Sequence, residues 1–397
     1  MEVRARLLLL LLLQCQILRC QHDRVTISNV FWIRVKIDGS KADYEKLVLD
    51  TGSPFTWLYN YRILEEAHGA VVGGYGTTAI NTLVTAPQGG NVIIYADNDR
   101  VECDKWIERY FTLHGLKWTE PFGVANYVVQ RAKKPIYTGL LGASRDSNFI
   151  RHVQVFGFKP VSRQEAEMFY NPIRSEWCHN NQVMYFPLSS RNRHFSRHWA
   201  SDTVVTFGDT KYDDGFILDT GASVIALPSG AFRDFMKELE ARNVKFKYSQ
   251  DKLSGVIFCN QVHLMPSWYI GDKDGHHGFR VTPTAYVFER AGTELCVVDV
   301  AKVSAGHPII FGLPVLRSAI SEFNQQNNTI GLCIPRSIDR KLVDKPLTSP
   351  RGELPIYPTE YPWSDDFFWN PKSSNAPFQV EIWPSIFAIL RFILTAV

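Results

Sequence analysis

The feature that most constrains the fold of this chain is a short segment that occurs twice. Residues 47–52 read LVLDTG, and residues 216–221 read FILDTG. Glycines recur at matching distances from the two aspartates, 11 residues before and 92 or 93 after: Gly39 and Gly208, then Gly142 and Gly312. A repeat on this scale predicts two homologous halves, each built from the same arrangement of elements.

Local patterns predict that both halves consist mainly of strands. Apolar and polar residues alternate over 33–37, and Asp38-Gly39, a turn pair, follows directly. Residues 204–207 are expected to play the same part in the second half. A helical spacing of apolar residues is clear over 232–239. Short strands with glycine and proline between them favour an all-β architecture with few short helices.

Each repeated motif places a carboxylate where a buried strand meets a tight turn. Asp50 and Asp219 follow three apolar residues and precede Thr-Gly, so each is expected at a strand end on a turn that glycine permits. A single motif of this kind would be an ordinary turn cap. Two motifs in repeated halves instead predict that the carboxylates face each other.

Two carboxylates in one cleft can perform acid–base chemistry. Like charges in a medium of low dielectric constant cannot both ionise cheaply, so the pair is expected to share one proton. The ionised member can then activate a water molecule, and the protonated member can stabilise the oxyanion that forms. This chemistry requires no cofactor and no metal. The sequence contains no Gly-x-Ser-x-Gly elbow and no His-Glu-x-x-His helix that would indicate another hydrolase.

The stretch from about Val25 to Pro335 resembles the pepsin-like aspartic proteases. In that family a serine directly after the first Asp-Thr-Gly precedes a tryptophan by four residues, as Ser53 precedes Trp57. The second motif in many members is Asp-Thr-Gly-Ala-Ser, which matches 219–223. The segments LLG and IFG, which end at Gly142 and Gly312, look like the apolar-apolar-Gly elements that pack beside each active-site loop.

The resemblance implies a bilobal β fold with a cleft between two homologous lobes. Asp50 and Asp219 would be the catalytic pair, while Ser53, Trp57 and a tyrosine of a hairpin flap would support the cleft. Gly52 and Gly221 would let the two loops turn, and the two motif threonines would hold the loops together. The implied substrate is an extended polypeptide.

The flap is the part that departs most from the family pattern. Tyr95 is the candidate, because it lies 45 residues after Asp50 at the end of an apolar run. Tyr75 is followed by Gly-Thr, as in the family, but leaves little chain to reach the flap. The tip after Tyr95 is charged over 96–100 instead of glycine-rich. An exposed strand tyrosine is the alternative interpretation of Tyr95.

The boundaries expected from these patterns divide the chain into four parts. Residues 1–20 contain a leucine run after two arginines and are expected to be a signal peptide. Residues 21–190 form the predicted N-terminal catalytic lobe and 191–335 the C-terminal lobe. Opening strands are expected to fill the interval before Asp50 and to leave no room for an inhibitory prosegment.

Residues 336–397 are predicted to be an irregular tail with a short apolar end. Residues 382–397 contain Arg391, which is costly in a spanning helix. Three interpretations stay open: a lipid-anchor signal after small residues near 373–376, a spanning helix, and a packed or frayed tail. The expected location is secreted or on the extracellular face of a membrane, with a lysosome-like compartment as a further possibility.

Cysteine usage fits an exported protein. Removal of residues 1–20 leaves five cysteines, an odd number: Cys103, Cys178, Cys259, Cys296 and Cys333. The resemblance implies a disulfide between Cys259 and Cys296, and the pairing of the other three stays open. A sequon makes Asn327 a candidate glycosylation site.

Two hypotheses for function follow. The formal charge of +3 without a recognisable motif predicts no nucleic-acid partner, and a monomer is expected. The first hypothesis is an aspartic endopeptidase that cleaves extended polypeptides. The alternative is a catalytically inactive module that binds peptides in the same cleft, which the charged flap tip and Leu313, where the family has aspartate, would favour.

Overall fold

A computed structural model describes most of the chain between residues 23 and 348. The described residues are 23–27, 31–68, 73–75, 84–86, 92–94, 100–129, 137–162, 165–191, 195–249, 254–271, 278–290, 293–303, 307–336 and 347–348. Strands dominate these ranges, and the helices are few and mostly short.

The strands have the following bounds: β1 Asp23–Ile27, β2 Phe31–Ile37, β3 Glu45–Asp50, β4 Trp57–Tyr59, β5 Val92–Ile94, β6 Arg100–Leu113, β7 Leu116–Val129, β8 Gly139–Gly142, β9 Val155–Pro160, β10 Glu165–Phe169, β11 Met184–Pro187, β12 Ala200–Ser201, β13 Val205–Phe207, β14 Thr210–Tyr212, β15 Phe216–Leu218, β16 Ile225–Pro228, β17 Lys247–Ser249, β18 Ser254–Phe258, β19 Trp268–Gly271, β20 Gly278–Val281, β21 Val287–Glu289, β22 Leu295–Val298, β23 Val300–Val303, β24 Ile309–Phe311, β25 Ile320–Asn324, β26 Thr329–Cys333 and β27 Leu347–Thr348. The α-helices are α1 Tyr61–His68, α2 Asn148–His152, α3 Ser229–Ala241, α4 Pro283–Tyr286 and α5 Leu313–Leu316. Short 3₁₀ turns occur at Ser175–Trp177, His179–Asn181, Phe195–Arg197 and Cys259–Leu264.

The all-β prediction is confirmed, and so are the elements on which it rested. In β2 the apolar residues of the alternating segment are buried, and Arg34 and Lys36 between them are exposed. The predicted helix is α3, whose buried side chains include Phe232, Phe235 and Leu239. Both elements form because one apolar face packs against a core while the other faces solvent.

The two halves repeat the same strand arrangement around their motifs. In the first half β3 runs parallel to β8, with Asp50 opposite Gly142, and β4 is antiparallel to β8. In the second half β15 runs parallel to β24, with Leu218 opposite Phe311, and β16 is antiparallel to β24. The sequence repeat is therefore a structural repeat.

The two halves share one sheet. A 13-stranded sheet runs in the order β11-β26-β25-β9-β10-β1-β2-β3-β8-β4-β7-β6-β5. Within it, β25 pairs with β9 and β26 pairs with β11, so strands from the end of the fold complete the sheet of the first half. Three smaller sheets of five, four and five strands build the second half.

A continuous apolar core runs through both halves. Phe156 of β9 stacks on Phe323 of β25 with ring centroids 4.9 Å apart, and Trp199 packs against both rings. A smaller cluster lies in the first half, where Trp57 and Leu140 pack with Ile93 and other residues of the β5–β6 hairpin. The motif loops thus rest on core packing in both halves.

The described residues contain two disulfides. Cys259 is bonded to Cys296, the pair that the family resemblance implies, and Cys178 is bonded to Cys333. The second bond shows how Cys178 and Cys333 pair, which the sequence left open. Cys103 remains a buried thiol.

Several sequence predictions lie wholly or largely outside the described residues. The signal peptide of 1–20 is not described, nor is the tail of 336–397 except for Arg336 and β27. In the described part of the chain, each helix is too short or too polar to cross a membrane. Asn327 lies exposed on the turn between β25 and β26, which leaves its glycosylation a prediction.

The disulfide at the end of the shared sheet predicts a measurable loss of stability. Replacing Cys178 and Cys333 together by Ser should lower the free energy of unfolding by about 3 to 5 kcal/mol, because the bond closes a long loop in the unfolded chain. The two cysteines are 155 residues apart, against 37 for Cys259 and Cys296. The matched double variant at the shorter pair should lose about 1 kcal/mol less in denaturant unfolding. An equal or larger loss at the shorter pair would contradict this account.

Candidate active site

The two motif aspartates meet at the centre of the molecule. Asp50 ends β3, and Asp219 directly follows β15, so each carboxylate stands at the end of a buried strand. The two carboxyl groups are in hydrogen-bonding contact. Each also accepts a backbone hydrogen bond from its own loop, from Gly52 N at 2.8 Å and from Gly221 N at 2.9 Å. The two motifs therefore lie against each other in the fold, as the sequence predicts.

Burial and mutual repulsion set the electrostatics of this pair. Burial is the main cause that raises the pKa of Asp50 well above its usual value, and the charge of Asp219 raises it further. Burial also raises the pKa of Asp219, although hydrogen bonds from Gly221 N–H and from Asp50 oppose this. The contact between the two carboxyl groups raises the pKa of Asp50 and lowers that of Asp219. The pair therefore favours a state with one shared proton.

Each motif needs its glycine because the carboxyl group of the opposite loop lies against it. A Cβ atom on Gly52 would lie 2.6 Å from Asp219 Oδ2, and one on Gly221 would lie 2.5 Å from Asp50 Oδ1. Both separations are shorter than real Cβ contacts. Each loop can therefore approach the other's carboxylate only because the residue after threonine lacks a side chain.

The two motif threonines tie the loops together with crossed hydrogen bonds. Thr51 N donates to Thr220 Oγ1 at 2.9 Å, and Thr220 N donates to Thr51 Oγ1 at 2.9 Å. The hydroxyl groups in turn donate to main-chain oxygens of the opposite strand, Thr51 to Leu218 O and Thr220 to Leu49 O. Both threonines are fully buried, so these bonds have no competition from water.

Neighbouring strands hold each loop from behind. Ala143 N donates to Asp50 O at 2.7 Å, and Asp219 N donates to Phe311 O at 3.0 Å. Leu313, where the sequence departs from the family pattern, is fully buried at the start of α5. Its N–H donates to Ala222 O at 2.9 Å, so the backbone contact to the second loop needs no acidic side chain.

Ser53 and Trp57 occupy buried positions beside the first aspartate. The Ser53 hydroxyl accepts a hydrogen bond from Phe55 N at 3.2 Å, which shapes the turn after the motif. Trp57 packs edge to face against Tyr59 and contributes to the small apolar cluster that contains Ile93 of the hairpin. Both residues therefore connect the Asp50 loop to its surroundings.

The hairpin proposed as a flap is described only at its base. Strands β5 and β6 pair antiparallel, with Ile94 opposite Arg100. Tyr95 and residues 96–99 of the charged tip lie outside the described residues. Tyr75, the alternative, is 3 % exposed, accepts a hydrogen bond from Arg109 Nε at 2.7 Å and packs edge to face against Phe122. This tyrosine belongs to the core of the first half.

One buried carboxylate behind the Asp50 loop escaped the sequence analysis. Glu120 of β7 is 1 % exposed and accepts hydrogen bonds from Thr56, Trp118 and Asn148. The only signal in the sequence is an acidic residue between the aromatic residues Trp118 and Phe122 of the strand. No motif connects it to the aspartates, because its partners come from three separate segments.

Comparisons with known proteins agree with this geometry. A family model described as eukaryotic aspartyl protease matches residues 155–334, a range that includes Asp219 but not Asp50. Renin of Canis lupus familiaris is 27% identical over 128 residues, and renin of Ovis aries is 28% identical over 127 residues. Renin-2 of Mus musculus is 25% identical over 126 residues. Each match covers 30% of this chain and only 29% of the relative.

The β fold, the paired Asp-Thr-Gly loops and these partial matches support a pepsin-like aspartic protease family for this chain. The renin relatives and the two disulfides indicate the secretory pathway.

The crossed threonine bonds predict a specific pattern of destabilisation. Thr220→Val should lower the free energy of unfolding by about 2 to 5 kcal/mol, because Thr51 N–H and Leu49 O both lose a buried partner. Thr220→Ser keeps the hydroxyl and should cost less than about 1.5 kcal/mol. Denaturant unfolding of the two variants measures the difference, and equal losses would contradict a role for the hydroxyl.

The raised pKa values of the pair predict how stability depends on pH. The folded protein holds protons on these carboxyls at pH values where the unfolded chain, with aspartate pKa near 3.9, has released them. The stability that this confers is present below about pH 4 and is lost as pH rises through the folded pKa values. Asp219→Asn removes one charge, so its Tm should exceed that of the wild type at pH 7 by more than at pH 4.

Asp214→Asn is the matched control, since Asp214 is exposed and lies five residues before Asp219. Its Tm should follow that of the wild type at both pH values. A constant difference between Asp219→Asn and the wild type from pH 4 to pH 7 would refute the proton-sharing pair.

Proposed function

We propose that the protein is an aspartic endopeptidase that hydrolyses peptide bonds of extended polypeptides with Asp50 and Asp219 as its catalytic pair. The observation that carries the proposal is the hydrogen-bonding contact between two carboxyl groups at the facing ends of two repeated loops. A purely structural role would gain nothing from two like charges in contact, of which Asp50 is buried and Asp219 half-buried.

The proposed reaction uses the single proton of the pair. Burial raises the pKa of both carboxyl groups, and the charge of Asp219 raises that of Asp50 further, so one member of the pair is protonated and the other ionised in the resting state. The ionised member takes a proton from a water molecule as the water oxygen bonds to the peptide carbonyl carbon, and the protonated member gives its proton to the carbonyl oxygen. The tetrahedral intermediate then collapses as the C–N bond breaks and the nitrogen receives the proton that was taken from water. The other carboxyl group recovers its proton from a hydroxyl group of the intermediate.

The substrate would lie across the cleft between the halves, covered by the β5–β6 hairpin. Tyr95 would close on the substrate from the hairpin. Ser53 and Trp57 would support the first loop and the hairpin base. Gly52 and Gly221 would keep the floor of the cleft open, because neither projects a side chain towards the carboxyl groups.

The second candidate is an inactive relative that binds peptides without cleaving them. The charged segment 96–100 and Leu313 favour it, because the family usually has a glycine-rich tip and an aspartate at these places. The raised pKa of both aspartates favours the enzyme instead, since a binding cleft does not need a proton-sharing pair.

The remaining proposals concern where the protein acts. From the sequence we propose that the protein is exported through a signal peptide at residues 1–20. We also propose that it is a monomer whose lobes divide near residue 190. The tail after residue 336 would either end the chain in solution or tether it to a membrane. Asn327, exposed on its turn, would carry a glycan in the secretory pathway.

Cleavage of a diverse peptide pool by the full secreted chain tests the proposed function. Measured between pH 3 and pH 7, kcat/KM should fall by at least about 100-fold in Asp219→Ala and in Asp50→Asn, because each variant removes a group that moves a proton. Asp214→Asn, which alters an exposed carboxylate nearby, should retain the wild-type rate.

Either of two results would reject the enzyme. One is the absence of cleavage by a folded wild type at every pH tested. The other is cleavage that persists in both aspartate variants and therefore comes from a contaminant. Tight binding of peptides without cleavage would support the inactive module.

A further inference from the structure

A buried glutamate behind the first catalytic loop has three hydrogen-bond donors around it. Thr56 Oγ1 donates to Glu120 Oε1 at 2.8 Å, Trp118 Nε1 donates to Oε2 at 2.7 Å, and Asn148 Nδ2 donates to Oε2 at 3.0 Å. The glutamate is 1 % exposed, and the indole N–H and the amide NH₂ can only donate. The pocket is therefore built for a carboxylate with both oxygens accepting.

Thr56 connects this carboxylate to the Asp50 loop. Its hydroxyl oxygen accepts the N–H of Gly142 at 3.2 Å, and its backbone oxygen accepts the N–H of Gly123 at 3.0 Å. Gly142 stands opposite Asp50 in the parallel pairing of β3 with β8. The next residue, Ala143, donates to Asp50 O at 2.7 Å. A chain of hydrogen bonds thus leads from Glu120 to the backbone of the first aspartate.

A hydroxyl group has one hydrogen, and Glu120 determines where it points. When Thr56 donates to Glu120, the lone pairs of its oxygen are free for Gly142 N–H. We propose that Glu120 is a positioning residue for the Asp50 loop, which fixes the Thr56 hydroxyl so that this oxygen holds Gly142 beside the aspartate. The proposal rests on the proposed catalytic function of Asp50.

Among the described residues of the second half, this link has no counterpart. The residue six positions after Asp219 is Ile225, which is fully buried in the core and has no hydroxyl group. The strand arrangement is the same in both halves, so the strands alone do not require a polar residue at Thr56. Glu120 and Thr56 therefore serve the first aspartate specifically.

The ionised form of Glu120 is the one that matches its surroundings. Burial raises its pKa to about 7, while the bonds from Asn148, Trp118 and Thr56 and the charge of Arg151 lower it. Arg109 lies opposite Glu120 on β6, but its guanidinium donates to Tyr75. As pH falls below about 7, Glu120 becomes protonated and can itself donate to Thr56, so the Thr56 hydroxyl is no longer held as the donor. The hydrogen bond from Gly142 N–H to Thr56 Oγ1 should therefore weaken below neutral pH.

Glu120→Gln tests the proposal with the least change of shape. The Trp118 indole N–H can only donate, and the Asn148 NH₂ also donates to Thr119 O at 2.7 Å, which fixes its orientation. The new amide must therefore turn its oxygen towards these two donors and its NH₂ towards Thr56. Thr56 then accepts from the amide and loses its fixed donor direction. We expect kcat to fall about tenfold, the effect of one lost hydrogen bond, with KM changed less than about twofold. Protonation of Glu120 should lower the kcat of the wild type as pH falls below 7. This part of the pH profile should be absent in Glu120→Gln.

Partner variants separate positioning from a general loss of stability. Thr56→Val should reduce kcat by the same factor, Thr56→Ser should restore most of it, and the Glu120→Gln/Thr56→Val double variant should lose no more than either single variant. Glu322→Gln is the matched control, because Glu322 is a fully buried carboxylate of β25 that accepts from Ile173 N and Asn324 Nδ2, away from both loops. Its kcat should stay within about twofold of the wild type. Additive losses, or an equal loss in Glu322→Gln, would overturn the proposal.

Amide hydrogen exchange over residues 139–143 gives a readout that needs no turnover. Glu120→Gln should speed exchange of this segment at pH 7 while Glu322→Gln leaves it unchanged. Unchanged exchange in Glu120→Gln would refute the positioning role even if the wild type cleaves peptides. Faster exchange in a protein that cleaves nothing would support the hydrogen-bond link and reject only the proposed catalysis.

Discussion

The crossed hydrogen bonds between Thr51 and Thr220 are the constraint on which the site depends. Each threonine satisfies the backbone N–H of the other at 2.9 Å, with no exposure to solvent. Separating the loops would leave buried main-chain groups without partners, which is costly in the protein interior. The hydrogen bonds between the two threonines, and not contacts of the carboxyl groups themselves, therefore fix the distance between Asp50 and Asp219.

This arrangement explains how the fold tolerates two acids in contact, with Asp50 buried and Asp219 half-buried. The backbone N–H groups of Gly52 and Gly221 stabilise the charged form, while burial and mutual repulsion oppose it. A shared proton resolves the conflict. The first half adds Glu120 and Thr56 behind Asp50, whereas Ile225 stands at the position of Thr56 in the second half. Two halves with the same strands thus give their aspartates different environments.

Much of the fold could be predicted because its signals are local or repeated. Alternation over 33–37 and the helical spacing of α3 follow directly from which side faces the core. The paired Asp-Thr-Gly motifs identified the two loops. The Cys178–Cys333 bond and the contacts of Glu120 could not be predicted, because they join segments distant in sequence without any characteristic spacing. Tyr95 remains a prediction, since the tip of its hairpin is not described.

The sheet shared by the two halves also determines the order in which the protein can be completed. During synthesis β9 emerges well before β25, its neighbour in the finished sheet, which lies some 160 residues further along the chain. Until then an edge of β9 is unpaired, and such edges invite association with other chains. Contacts between such distant segments also form slowly. The newly made first half is therefore the stage at which association with other chains is most expected.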